Sequence, residues 1–179
     1  MSVLVFADSS EGKFKKSAFE VVSYGKKVAE QLNTNVVALT INTTDASELY
    51  AYGAEKVISV TNDALNTFNA KQYAAVIIEA AKIQSATVVV IDSSTDGMYL
   101  APIVAAKLDA GYASNTVALP SSTSPFTVKR KAFSNKAFSN TVITSEIKVI
   151  GLAKNSYGFH ENAVAGVSET LDVTVAESG

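Results

Sequence analysis

The feature that most constrains this chain is a regular alternation of short apolar runs with stretches of helical spacing. Val3 to Ala7, Val36 to Ile41, Val57 to Val60 and Thr87 to Ile91 are short and almost wholly apolar. Such runs mark strands covered on both faces. Between them, Phe14, Ala18, Val21, Gly25, Val28 and Leu32 recur every three or four residues, as do Tyr73, Val76, Ile77, Ala80 and Ala81. Each set is one face of an amphipathic helix, predicted over 14–32 and 69–83. A shorter helical piece over 46–52 stops at Gly53, where glycine can take a positive φ. The loop Ser93-Ser94-Thr95-Asp96-Gly97 starts a further helix with Leu100, Ile103, Val104 and Leu108 on its apolar face, and Pro102 is expected in its first turn. Strand-helix alternation of this kind requires a mostly parallel sheet with helices on both faces, a three-layer α/β/α fold.

After Gly111 the helical spacing ends. Ser114 to Leu119, Phe126 to Lys131, Ala137 to Thr144 and Glu146 to Leu152 are β-type runs separated by turns. They predict a mixed or antiparallel extension of the same sheet in the C-terminal third. Residues 158–179 form a tail with one expected strand, Leu171 to Val175. Ala-Phe-Ser-Asn occurs at 132–135 and again at 137–140. Four residues at an offset of five are too short for a repeat architecture and fit a hairpin.

Composition narrows the function. With 179 residues the chain is of single-domain size, enough to bury about 70% of its unfolded surface. It has no cysteine, so disulfides, thiolate metal sites and thiol nucleophiles are excluded. Fifteen basic against 17 acidic residues leave a net charge of −2, without the basic excess that binds nucleic acid. Charged residues make up only 18%, below the roughly 25% of an average soluble domain, which suggests surface set aside for a protein partner. No apolar run approaches the ~20 residues of a spanning helix. The opening residues lack a basic signal-peptide start, so membrane insertion is not expected and a cytoplasmic setting is.

Catalytic and metal patterns are sparse. His160 is the one histidine, so His160-Glu161 cannot be completed to a zincin motif and is expected in a loop of the tail. Asp8 and Asp92 end the first and fourth strands, and Asp96 follows closely, where open α/β sheets bind ligands. Three acids there could hold a metal or a ribose. The same residues also serve as caps and turn formers, the preferred reading. Neither G-x-G-x-x-G nor G-x-x-x-x-G-K-[ST] occurs. The Ser93–Gly97 loop is a generic anion site by its helix start, yet its Asp96 would repel phosphate.

Several strings carry a family resemblance. Tyr52-Gly53-Ala54-Glu55-Lys56-Val57-Ile58 resembles the Gly-Ala-Asp-Lys-Val segment of electron transfer flavoprotein alpha subunits. Asp96-Gly97, with Leu100-Ala101-Pro102 through Leu108-Asp109-Ala110-Gly111, is similar to their Gly-Lys-Asp-x-x-Pro-x-x-Ala-x-x-Leu helix. Arg130-Lys131-Ala132-Phe133-Ser134-Asn135-Lys136-Ala137 resembles their Arg-Pro-x-Tyr-Ser-Gly-Lys-Ala hairpin, and Val3 to Asp8 with Gly12-Lys13 resembles their first strand and turn. The departures are Lys131 for the Pro, Asn135 for the hairpin Gly, Asn115 for an Asp, and Ala153-Lys154 for an Arg-Pro pair. They bear on partner contacts more than on the fold.

The resemblance implies residues 1–157 as the N-terminal α/β domain of an alpha subunit, adenine-nucleotide-hydrolase-like in its sheet. The flavin-binding C-terminal domain of that family has no counterpart among residues 158–179. Its implied role is that of scaffold and interface. With an electron transfer flavoprotein beta subunit and FAD, the intact alpha subunit carries electrons from acyl-CoA dehydrogenases and similar enzymes, as in fatty acid beta-oxidation, to a quinone oxidoreductase. This chain is then an electron-carrier part and not an enzyme, with no residue expected to be catalytic, to bind cofactor or to bind metal. The alternative is a free-standing nucleotide-binding, universal-stress-like protein using the crevice at Asp8 and Asp92. An exposed apolar surface favours the first reading, and adenine-nucleotide affinity the second.

Overall fold

In the computed structural model, residues 1–132, 134 and 136–177 are described. Strand β1 (Ser2–Phe6) leads through a two-residue hairpin, β2 (Ser9–Ser10) and β3 (Lys13–Phe14), into helix α1 (Lys16–Gln31). Strand β4 (Val36–Ile41) and a 3-10 turn (Ser47–Tyr52) lead to β5 (Lys56–Val60), α2 (Ala70–Ile83), β6 (Ala86–Asp92) and α3 (Thr95–Lys107). The C-terminal third holds β7 (Gly111–Thr116), β8 (Ser122–Thr123), β9 (Phe126–Ala132), β10 (Ala137–Ile143), β11 (Lys148–Leu152) and β12 (Val167–Thr170). The main sheet runs β10-β9-β7-β11-β6-β1-β4-β5-β12. From β7 to β12 every neighbouring pair is parallel. Strands β8, β9 and β10 add to it antiparallel.

The central strands are buried on both faces because alternate residues feed two separate cores. Val3 and Val5 of β1, with Val88 and Val90 of β6, pack toward α1. Leu4 and Phe6, with Val89 and Ile91, pack toward α2 and α3. A period of two thus splits a continuous apolar run into the two interfaces of a three-layer sandwich. The expected α/β/α architecture is the one observed.

Several boundaries differ from the sequence reading. Phe14 belongs to β3, and α1 begins at Lys16. Pro102 lies in the middle of α3, because the helix starts at Thr95 under the cap of Ser94. There it is exposed, and the Met98 carbonyl it leaves without an N–H also belongs to an exposed residue, where water can satisfy it. Of the four C-terminal runs, only 126–131 and 137–144 are antiparallel. The run at 114–119 is β7, starting at Gly111, and the run at 146–152 is β11, inserted between β7 and β6 parallel to both. Its residues Val149, Ile150 and Leu152 are buried on both faces, which only a central position provides. The tail strand is Val167–Thr170, four residues ahead of the expected one, while Leu171, Val173 and Val175 pack against the α2 and α3 core. Of the departures in the hairpin, Asn135 lies outside the described residues.

The tail reaches its edge by crossing the α1 side. Asn162 and Val164 donate backbone N–H bonds to Ala51 and Tyr50, and β12 then pairs with β5.

Candidate functional site at the strand-order reversal

Strand β1 is followed by β4 and β5 on one side, and the chain then returns to place β6 on the other. Ligand crevices of open α/β sheets form outside the carboxyl ends of strands at such a reversal. A cleft of about 420 Å³ lies there, with Asp8, Glu11, Lys15, Asn42, Tyr73 and Asp96 in its lining.

Each side chain is placed by local structure. Glu11 and Gly12, at φ 53° and 81°, form the two-residue turn that folds β3 back on β2. That hairpin carries Lys15 to Asp8, Nζ to Oδ2 at 2.7 Å, and Asp8 Oδ1 also accepts the Ser9 N–H. Burial raises the Asp8 carboxyl above its ordinary 3.8, and the nearby Asp92 charge adds to this; Lys15 and the Ser9 N–H oppose it. For Lys15, burial works against the ammonium, but bonding to Asp8 outweighs it and the group is raised. The Tyr73 hydroxyl donates to the Leu65 carbonyl at 2.6 Å and is raised by burial and by the charges of Asp8 and Asp96.

The three acids singled out in the sequence do not act together. Asp8 and Asp96 line the cleft. Asp92 Oδ1 instead accepts the N–H and hydroxyl of Ser94, whose Oγ in turn caps α3 at the Gly97 N–H. The cap reading therefore holds for Asp92 and Ser94. Among the described residues, no group of three His, Asp or Glu side chains is arranged to hold a metal ion. His160 lies in the tail as expected, away from the cleft. Its backbone N–H donates to Ser23 Oγ at 3.0 Å, and its ring packs edge-to-face on Tyr157.

The sequence pattern does not mark Lys15 or Asn42 as cleft residues, and it places Tyr73 on the apolar face of α2. The Glu11-Gly12 pair was the available signal for Lys15, since a tight hairpin after Asp8 returns the chain to it. Chemically the cleft sets Asp8, Glu11 and Asp96 against one ammonium, itself engaged by Asp8. A pyrophosphate would meet net repulsion, so these residues do not fit a flavin dinucleotide.

Segments that carried the resemblance have structural work of their own. Arg130 donates through Nε and Nη2 to the carbonyl and hydroxyl of Ser114, tying β9 to β7. Asn115 sits at φ 50°, a conformation asparagine tolerates, where the β7–β11 register shifts. Gly53 ends the 3-10 turn at φ 109°, as its position in the sequence predicted.

Comparison with known proteins agrees with this architecture. The electron transfer flavoprotein domain matches residues 3–178. Electron transfer flavoprotein subunit alpha of Clostridium acetobutylicum is 31% identical over 120 residues, covering 65% of this chain and 36% of that protein. The Bacillus subtilis subunit alpha is 24% identical over 178 residues, covering 98% of this chain and 55% of its own length. Acryloyl-CoA reductase electron transfer subunit beta of Anaerotignum propionicum is 30% identical over 112 residues, or 61% and 30% of the two chains. The chain thus spans between about a third and about half of the curated relatives it matches. With the family match running over nearly all of its residues, this protein belongs to the electron transfer flavoprotein domain family and has the build of the alpha subunit's N-terminal domain.

Proposed function

We propose that the chain is the scaffold and interface domain of an electron transfer flavoprotein alpha subunit; the boundary expected at residue 157 is not a limit of the folded unit, since β12 extends the main sheet and Leu171, Val173 and Val175 pack on its core. In this reading it associates with a beta subunit in the cytoplasm and supports FAD held elsewhere in the assembly. The assembly carries electrons from acyl-CoA-type dehydrogenases to a quinone oxidoreductase. The chain supplies no catalytic residue, and its contribution is shape and contact.

The observation that carries the reading is the family match over residues 3–178, joined to a cleft whose Lys15 ammonium is already paired with Asp8. Lys15 neutralises Asp8, and Asp92 holds the start of α3. The exposed Phe138, Val142, Met98 and Tyr99 give apolar surface of the kind a partner covers. No helix among the described residues is long and apolar enough to cross a membrane.

The test is titration of the chain with the electron transfer flavoprotein beta subunit of the same organism, followed by calorimetry and by sedimentation. A one-to-one complex is expected, with no measurable affinity of the isolated chain for AMP or ATP. Micromolar nucleotide affinity without beta-subunit binding would replace this reading with the nucleotide-binding alternative.

A further inference from the structure

We propose that the free edge of β10 pairs antiparallel with the same strand of a second copy of this chain, about a two-fold axis at Asn140. The inference concerns the chain without its beta subunit; Phe138 and Val142 also belong to the apolar surface offered to that subunit, so the two associations compete for this face.

Strand β10 ends the main sheet, with β9 on its inner side and, among the described residues, no strand on its outer side. Proteins ordinarily blunt such edges with charge, proline or a bulge. Over its seven residues, Ala-Phe-Ser-Asn-Thr-Val-Ile, β10 has no charged residue and no proline, and its register with β9 runs without interruption. The other edge, β12, is only four residues long and carries Glu169, paired with Lys56.

The strand is also complementary to itself. Asn140 is its central residue, and Phe138 and Val142 stand two places to either side on the same exposed face. An antiparallel two-fold pairing through Asn140 sets Phe138 of each copy across from Val142 of the other, and Ser139 across from Thr141. Aromatic against β-branched is a favourable cross-strand pair. The register brings no like charges together along the ladder. It sets the exposed Lys136 before one strand across from the exposed Thr144 beyond the end of the other, at both ends alike, so neither end opposes like charges. A single seven-residue ladder lies at the small end of specific interfaces, so a reversible dimer is expected.

The test is sedimentation equilibrium of the 179-residue chain from about 1 μM to about 1 mM. The expected result is conversion from 18.8 kDa toward twice that mass, with β10 amides gaining protection from hydrogen exchange as dimer forms. Asn140→Lys puts two like charges at the axis and should weaken association at least tenfold while leaving the circular dichroism spectrum unchanged. Val167→Lys on the opposite edge should leave association as it is. A wild-type chain that stays monomeric throughout overturns the proposal, and so does a dimer that Asn140→Lys leaves intact. Beta-subunit titration is run at the lowest chain concentration of this series, where the wild-type chain is monomeric, so its failure and the failure of the dimer are distinguished.

Discussion

The carboxylate of Glu20, on α1, accepts the backbone N–H of Gly158 at 2.6 Å. The same side chain accepts from Asn155 at 2.9 Å and from Tyr157 at 3.1 Å, so one buried acid holds the loop that follows β11. The loop needs such a partner because Asn155 and Gly158 both take positive φ, and their turn leaves backbone donors pointing at α1 rather than into a strand ladder. Glu20 thereby fixes the point at which the chain leaves the sheet and starts across the α1 face.

Replacing Glu20 by Ala takes the acceptor from three backbone donors of a partly buried loop. Hydrogen bonds to a charged group contribute roughly 1.5–3 kcal/mol each and do not add fully, so a loss of about 3 kcal/mol is expected. Glu20→Gln keeps one acceptor oxygen and should lose less. Urea unfolding measures both, and faster hydrogen exchange over 155–164 in the Ala variant would locate the damage. Equal stability of all three proteins would remove Glu20 from this role.

The Asp8–Lys15 pair leads to a pH-dependent expectation. Asp8 is raised in the folded state, so the fold holds that proton more tightly than the unfolded chain does. Stability from this group therefore falls as pH rises from the ordinary 3.8 through the folded value. Lys15 limits the fall. Lys15→Met leaves the carboxylate without its cation and should cost about 1–2 kcal/mol at neutral pH, below the usual figure for a buried pair because Lys15 is 40% exposed. The difference from wild type should close as pH drops below 3.8 and Asp8 is protonated in both states. Unfolding at pH 7 and at pH 3.5 decides it, since an equal deficit at both would mean that packing rather than charge is lost.

Gly97 sits in the first turn of α3, directly over the end of β6. A methyl group there would be driven into the Asp92 carbonyl and lie 2.7 Å from Asp92 Oδ1. Backbone cannot give way as a flexible side chain can, so Gly97→Ala should destabilise by about 2–4 kcal/mol despite alanine's better helix propensity. Thermal unfolding checks this, and a variant as stable as wild type would show α3 to be free to shift outward.

Leu108 follows the last residue of α3 and is buried in the core shared with α2. Leu108→Ala should cost about 2–5 kcal/mol, the range for emptying a packed leucine site. A change below about half a unit would mean that the end of α3 collapses onto the gap.

Much of this fold is legible in the residues because its signals are local. The apolar runs at 36–41 and 87–91, the periodicity of 69–83 and the stop at Gly53 each depend on contacts within a few residues of chain. The elements that the linear order misplaces are those decided by partners distant in sequence. Pro102 can stand inside α3 only because that face of the helix meets water. The run at 148–152 reads as a short β segment, and its seat between β7 and β6 depends on strands about 35 and 60 residues away in the chain.

The cleft divides in the same way. Asp8 and Asp96 could be named in advance because a strand's end and a helix's start are visible in order along the chain. Whether their charges stand free, pair or cap depends on where Lys15 and Ser94 come to rest. The alternation of strands and helices, and with it the layered α/β/α class, follows from the periodicity with which apolar groups must leave water. The order of strands in the sheet, the commitment of Asp92 to a cap and the exposure of the β10 edge follow only from the assembled structure. Those depend on which distant segments meet, and burial and pairing energies are set by neighbours that the order of residues does not contain.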